Sequence, residues 1–415
     1  MNIIKTSLFS AVSTVVKMFS GFVINKMVAI YAGPGGIALV GQLQNFVNII
    51  LLSSGSFLKT AITKFTAEYL NDETNLSYKL SAAIRINFTL CIITCLIIYF
   101  FSDYISTVIL LDIKYSYIFK VFSISLPFYV LNMVFLSIIN GKRKVEYYNL
   151  INIFQSLFNL IVTSILTYYY EIDGALIAIV INQSIVFIIA LIIYNKFIDY
   201  HIFLSKIRKS DVVILFKYGV TAIVSVLLSN ISLMFIRDYL SSNLGEINAG
   251  YWQGLININQ IIISLITISL STYVLPILSS AKKKIIVRLE LKKITLFITF
   301  FTIFSCSIIF LLRDFIILLL YSKEFILISD IILWQLIGTV FATIAWPFGY
   351  LLVIKGYFKI AIINELLSAL LLVLLTVFLV NKYGLIGTTY SYLITNLIYL
   401  GVVIIQFFYI LRDFK

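Results

Sequence analysis

The stretch Ser7-Leu8-Phe9-Ser10-Ala11-Val12-Ser13-Thr14-Val15-Val16-Lys17-Met18-Phe19-Ser20-Gly21-Phe22-Val23-Ile24-Asn25-Lys26, with an apolar tail running to Gly33-Pro34-Gly35-Gly36, decides what kind of molecule this is. About 20 apolar residues rising 1.5 Å each cross roughly 30 Å of hydrocarbon, so the stretch predicts a membrane-spanning helix. Lys17 sits near its middle. An ammonium there costs about 2.5 to 3.5 kcal/mol on insertion scales, so it should face a wet or protein-lined interior and have an anion to hold. Ser10, Ser13, Thr14, Lys17 and Gly21 recur at three- and four-residue steps, which makes one polar face of a helix. Snorkelling to the headgroups is the alternative, but it works within a turn or two of a helix end, and Lys17 is flanked on both sides by apolar or small residues. Lys26 lies nearer the end at Pro34 and about 180° from Lys17 on an ideal helix. The two share a cavity only if the helix bends, and Gly21 is where it could.

The rest of the chain follows suit. Its 415 residues are 61% hydrophobic and 12% charged, with a mean hydropathy of +1.06, which excludes a soluble domain and reads as an all-α polytopic membrane protein. Apolar runs predict twelve helices, at 4–31, 37–69, 78–101, 115–139, 145–169, 174–195, 211–241, 248–278, 286–312, 326–353, 358–380 and 385–411, joined by short connections. Lys5 precedes the first span and no small-residue cleavage site follows, so this span should be an uncleaved signal anchor. Cys91, Cys95 and Cys306 fall inside predicted spans and suggest neither a disulfide frame nor a metal site. His201, the one histidine, lies in a basic loop. There is no Walker loop, nucleotide fingerprint or nucleophile elbow, so no cofactor and no enzymatic chemistry is expected, and any work must draw on ion or substrate gradients.

Charge sets the orientation. Lys142, Arg143 and Lys144 follow the fourth helix; Lys196, Lys206, Arg208, Lys209 and Lys217 surround the middle connection; Lys282, Lys283, Lys284, Arg288, Lys292 and Lys293 follow the eighth; Lys355 and Lys359 follow the tenth. They alternate with connections holding Asp103 and Asp112, Glu171 and Asp173, and Glu246. The positive-inside rule then puts both termini in the cytoplasm. The net charge of +13 is accounted for by cytoplasmic loops meeting anionic membrane lipids, without nucleic acid.

The chain also repeats itself. Asn140-Gly141-Lys142, an apolar helix and Asp173-Gly174 reappear as Lys355-Gly356-Tyr357, an apolar helix and Gly384-Leu385-Ile386-Gly387. With a boundary near residue 205, this predicts two six-helix bundles, 1–205 and 206–415, as parallel repeats. That is transporter architecture, with a substrate path expected between the halves beside the first, second, seventh and eighth helices. Polar stripes support it: Gln253, Asn257, Gln260, Ser264, Thr267 and Ser271 on the eighth helix, and Gln44, Asn45, Asn48, Ser56 and Lys59 on the second. Asn152, Ser156, Asn159 and Thr163 mark one face of the fifth. Interhelical glue is the competing reading of such stripes. Arg237 with Asp238, Arg313 with Asp314, and Trp252 read as interfacial, and Pro127, Pro276 and Pro347 as kinks. Glu365, one to two turns into the eleventh predicted helix, is a candidate for ion coupling.

Ser13-Thr14-Val15-Val16-Lys17, Gly33-Pro34-Gly35-Gly36, Thr63-Lys64-Phe65, Tyr251-Trp252-Gln253-Gly254, Tyr273-Val274-Leu275-Pro276, Leu311-Leu312-Arg313-Asp314-Phe315 and Trp334-Gln335-Leu336-Ile337-Gly338 carry a resemblance over nearly the whole chain. The sequence resembles the Wzx-type flippases of lipid-linked oligosaccharides, those for O-antigen and enterobacterial common antigen units, in the multidrug/oligosaccharidyl-lipid/polysaccharide exporter superfamily. The resemblance implies a V-shaped pair of six-helix bundles that alternate between inward- and outward-open states. It implies a cargo on undecaprenyl diphosphate, turned to the outer leaflet of the bacterial inner membrane, and a polysaccharide polymerase and chain-length regulator as partners. Lys17, Lys26, Lys64, Arg237, Trp252, Gln253 and Glu365 match positions shared with such flippases, whereas Gln44 stands where relatives can carry Arg. The candidate cargo-binding set is therefore Lys17, Lys26, Gln44, Asn48, Lys64, Arg237, Gln253, Asn257 and Gln260. Two other classes compete. A multidrug/cation antiporter would ordinarily use embedded carboxylates where this chain's embedded charge is mainly positive, and a polysaccharide polymerase would ordinarily carry a large outer loop with arginines.

Overall fold

The computed structural model describes residues 3–70, 72–194, 209–269 and 284–410. The expected boundary near 205, His201, Lys196, Lys206, Arg208, Ser271, Pro276, Lys282 and Lys283 lie outside the described residues. Within them run fourteen α-helices and no strand: α1 Ile3–Tyr31, α2 Gly33–Ser53, α3 Lys59–Glu68, α4 Glu73–Phe100, α5 Ser102–Ile109, α6 Ser116–Gly141, α7 Val145–Tyr194, α8 Lys209–Leu244, α9 Glu246–Ser269, α10 Lys284–Leu311, α11 Arg313–Leu320, α12 Ile328–Ile354, α13 Phe358–Tyr383 and α14 Ile386–Ile410. Nine spans among the described residues have the length and hydropathy to cross a membrane, against the twelve expected. The chain is a multi-pass membrane protein, and an all-helical build is what a bilayer demands, because a helix satisfies its backbone groups within itself.

Two compact units make up the chain. The first holds residues 1–32 and 39–230, and the second holds 33–38 and 231–415. In the first, Phe57, Ile62, Leu80, Ile138 and Ile151 belong to one buried cluster, and α3 lies close against α6. That approach depends on Gly141, where an added Cβ would fall 2.5 Å from Thr66 Cβ and 2.7 Å from the Thr63 carbonyl oxygen. Small residues let membrane helices pack backbone to backbone, and in a bilayer this packing replaces the drive to leave water. In the second unit, Ile236, Leu240, Ala249, Trp252 and Val380 enclose Ala38, from the second turn of α2. Gly250 admits the first turn, since a Cβ there would meet the Pro34 carbonyl oxygen at 1.9 Å.

The structure departs from the sequence expectation in three places. The predicted second helix, 37–69, is broken: α2 ends at Ser53, Gly55 turns at φ 108°, and a 3-10 turn at Ser56–Leu58 leads into α3. Only glycine fits there, because a Cβ at Gly55 would lie 1.9 Å from Asn87 Oδ1. Ser56 and Lys59 therefore leave the stripe of Gln44, Asn45 and Asn48. The connections around Asp103 and Arg313, expected as plain loops, each contain an eight-residue helix, α5 and α11. Third, α7 carries the predicted fifth and sixth helices on either side of a break at Glu171.

That break gives the repeat its true register. Glu171 adopts φ 48°, ψ −124° and Gly384 adopts φ 66°, ψ −147°, each three residues before a glycine whose Cβ would strike the preceding helix, at Leu166 for Gly174 and at Leu379 for Gly387. Upstream, Lys142, Arg143 and Lys144 donate their N–H groups to Ile138, Asn140 and Ile139, and Lys355, Gly356 and Tyr357 donate to Leu351, Val353 and Leu352 in the same pattern. Arg143 (φ 58°) and Gly356 (φ 84°) both take left-handed backbone. Gly356 thus corresponds to Arg143 and not to Gly141, and one constant offset carries every pair from Ile138 to Gly174. Burial pushes the equivalent Lys142 and Lys355 ammonium groups below the ordinary lysine value.

Candidate functional site

α1 is continuous through Gly21, so the angular arithmetic of a straight helix applies. Val12, Val15, Phe19 and Ile30 form an exposed apolar strip that suits hydrocarbon. Lys17 lies roughly 160° from that strip, on the side where Ser13 and Ser20 are buried, and is itself exposed. Ser10 on the same side accepts a hydrogen bond from Asn149 of α7 (3.0 Å). Lys17 is therefore exposed on the polar side of the helix. Lys26, half-buried, falls on the apolar strip's side, so an unbent α1 does not bring the two lysines together.

Also in the first unit, α2 presents a chain of amides. Gln44 Nε2 donates to Asn48 Oδ1 (3.3 Å), and Asn48 Nδ2 donates to Asn230 Oδ1 of α8 (3.3 Å). Asn230 is buried and gives its own amide N–H to the Val226 carbonyl (2.8 Å). Sequence reading passed over Asn230. Its signal was one amide in the apolar run Val226-Leu227-Leu228-Ser229-Asn230-Ile231, a polar side chain that hydrocarbon penalises unless it is paired. Lys64 is exposed on α3.

In the second unit, Arg237 is buried within the protein. It is 3% exposed, its guanidinium stacks over the Trp252 ring 5.6 Å from the centroid, and its Nε and Nη2 both donate to Gln253 Oε1, the former at 3.1 Å. Trp252, expected as an interfacial anchor, is buried in the cluster around Ala38. Because Arg237 fixes the oxygen of Gln253, the amide nitrogen must point the other way, and it donates to Asn257 Oδ1 (2.8 Å). Asn257 reaches the buried Tyr321 hydroxyl, which donates to the Gly254 carbonyl (3.1 Å). The stripe on α9 thus divides. Gln253 and Asn257 are engaged inside the unit, while Gln260 is exposed, with Ser264 bonded to its carbonyl (2.7 Å).

Glu365 lies on α13 and lines a cavity of about 400 Å³ together with α12 and α14. It is exposed, and among the described residues no ion pair or hydrogen bond engages it. The neighbours were not foreseen, since they belong to the preceding and following helices and meet Glu365 only through packing.

The chain is 26% identical over 408 residues to the lipid III flippases of Escherichia coli (strain K12) and Shigella flexneri, covering 96% of this chain and 96% of theirs. Its fold matches an inward-facing multidrug resistance MATE family transporter of the MOP superfamily with a TM-score of 0.81 at 14% identity, over 95% of both chains. It matches the lipid II flippase MurJ, in an inward closed conformation, with a TM-score of 0.72 at 19% identity, over 97% of this chain and 87% of that one. The sequence profile of the polysaccharide biosynthesis protein family aligns with residues 3–282, and the chain belongs to that family.

Proposed function

We propose that the chain is a transporter, a flippase that turns an oligosaccharide on undecaprenyl diphosphate from the cytoplasmic to the periplasmic leaflet of a bacterial inner membrane. The end-to-end likeness to the lipid III flippases carries this reading. Physical chemistry agrees with it. A diphosphate leaving water must be paired, because burying unpaired charge costs several kcal/mol even after relaxation. Lys17 supplies a fixed ammonium in mid-span, and the Gln44–Asn48–Asn230 amides and Gln260 replace the hydration of sugar hydroxyls. Lys26 and Lys64 are further cations along the route, and the Arg237–Gln253–Asn257 relay holds the wall in shape. A polysaccharide polymerase and a chain-length regulator are the proposed downstream partners.

The test is complementation. In cells lacking their own flippase, expression of the chain should restore surface polysaccharide and move lipid-linked intermediates to the outer leaflet; accumulation on the inner leaflet at normal expression would sink the proposal. Glu365 is the proposed ion-coupling carboxylate, being unpaired within a span. Glu365→Gln in vesicles with an imposed proton gradient should transport without responding to the gradient. A response equal to the parent's would reduce Glu365 to a structural role.

A further inference from the structure

The cavity around Glu365 is larger than ion coupling needs. A proton or a bare metal ion requires a few oxygens at close range, whereas about 400 Å³ is the room a small organic ligand occupies. Its lining is also of a particular kind. Trp346 and Tyr350 come from α12, Glu365 and Ser368 from α13, and Asn396 and Tyr399 from α14. Gly349 makes room for the tyrosine, since a Cβ there would sit 2.9 Å from the Tyr399 hydroxyl oxygen. Asn396 gives an amide N–H to the Tyr392 carbonyl (2.8 Å), which anchors its amide in the cavity wall. Aromatic faces carry negative quadrupole, and a carboxylate adds a full negative charge. Three rings beside one carboxylate, with no cation paired to it among the described residues, form a box whose complement is positive, apolar and larger than a metal ion.

We propose that this cavity in the second unit binds a monovalent organic cation, with Glu365 as counter-ion and Trp346, Tyr350 and Tyr399 as the aromatic wall. The cargo contacts of the flippase reading do not depend on it, because Lys17, the α2 amides and Gln260 lie on other helices; only the ion-coupling role of Glu365 shares this cavity.

The experiment titrates the intact chain in lipid nanodiscs with tetraphenylphosphonium and, separately, with tetraphenylborate, an anion of nearly the same shape. Saturable micromolar binding is expected for the phosphonium only. Glu365→Gln and Trp346→Leu should each weaken it about tenfold or more, and Lys359→Gln, on the same helix outside the cavity, should leave it unchanged. Equal uptake of both ions would mean partition into lipid and overturn the proposal, as would undiminished binding by Glu365→Gln. If Glu365→Gln fails to insert, Trp346→Leu and Tyr350→Leu decide the matter, and parent-like binding in both overturns it.

Discussion

At the scale of single residues, charge was easier to read from sequence than its surroundings. Lys17 announces itself because hydrocarbon tolerates few ammonium groups, and the structure leaves it exposed on the polar side of α1. Arg237 announces itself equally, but only packing reveals that Trp252 and Gln253 enclose it, because these partners meet across two helices. Lys17 gives the sharpest prediction. If it pairs with the diphosphate, Lys17→Ala loses a charge-assisted contact worth about 1.5 to 3 kcal/mol, roughly a 10- to 150-fold loss of cargo affinity. Surface polysaccharide in a flippase-null strain, normalised to protein in the membrane, should fall by at least about tenfold. Lys17→Arg should keep part of the activity, since guanidinium binds phosphate with a different reach and fork, and Lys17→Glu should be worst because like charges repel strongly at low dielectric. A lysine that merely snorkels would make Lys17→Ala harmless, and full function of that variant would end the phosphate assignment.

At the scale of elements, hydropathy located the helices and missed their interruptions. The break at Gly55 and the kink at Glu171 are backbone events: a sliding count of apolar residues registers neither a left-handed φ nor a close approach such as Asn87 to Gly55. The repeat was legible in its glycines but misregistered by two residues, because the first unit places Arg143 and Glu171 where the second has Gly356 and Gly384. Glu171 holds a conformation that side chains avoid at a cost of about 1 to 3 kcal/mol, while glycine adds an unfolding entropy of about 0.5 to 1 kcal/mol. Glu171→Gly should therefore stabilise the protein by about 1 kcal/mol, seen as a rise of a few degrees in thermal unfolding in detergent. Gly384→Ala should do the reverse, purely through the backbone, since no atom lies within 4 Å of its Cβ position. A lower melting temperature for Glu171→Gly would show that the glutamate side chain stabilises the turn by more than its backbone costs. The divided stripe on α9 makes a second claim. In a background lacking Cys91, Cys95 and Cys306, a cysteine at Gln260 should react with a membrane-impermeant thiol reagent, and cysteines at Gln253 and Ile258 should not. Equal labelling at all three positions would erase the distinction between wetted and packed parts of the helix.

At the scale of the molecule, composition settled the class, and loop charge carries the proposed orientation. A chain that is 61% hydrophobic cannot cover itself with polar surface, so hydrocarbon must be its solvent, and the exposed Phe88, Leu96, Phe297, Leu374 and Phe378 on the outside of the helices are consistent with that. The excess of 31 Lys and Arg over 18 Asp and Glu is concentrated in alternate connections, and lysine or arginine near a span end resists translocation far more than a carboxylate does. Twelve crossings with both termini in the cytoplasm put the basic clusters around Lys142, Lys209, Lys284 and Lys355 on one side at once. A chain with one crossing fewer before Lys209 would carry that cluster, and every one after it, to the wrong side. Reporter fusions after Lys144, Lys209 and Lys284 should therefore show cytoplasmic activity, and fusions at Asp112, Asp173 and Glu246 periplasmic activity. The break at Glu171 is the decisive point, because the chain must reverse there for Lys144 and Lys209 to share a side, and a continuous α7 would place Asp173 inside the bilayer. Periplasmic reporter activity at Asp173 fits the reversal; cytoplasmic activity at both Asp173 and Glu246 would remove the twelve-span topology while leaving the membrane class intact.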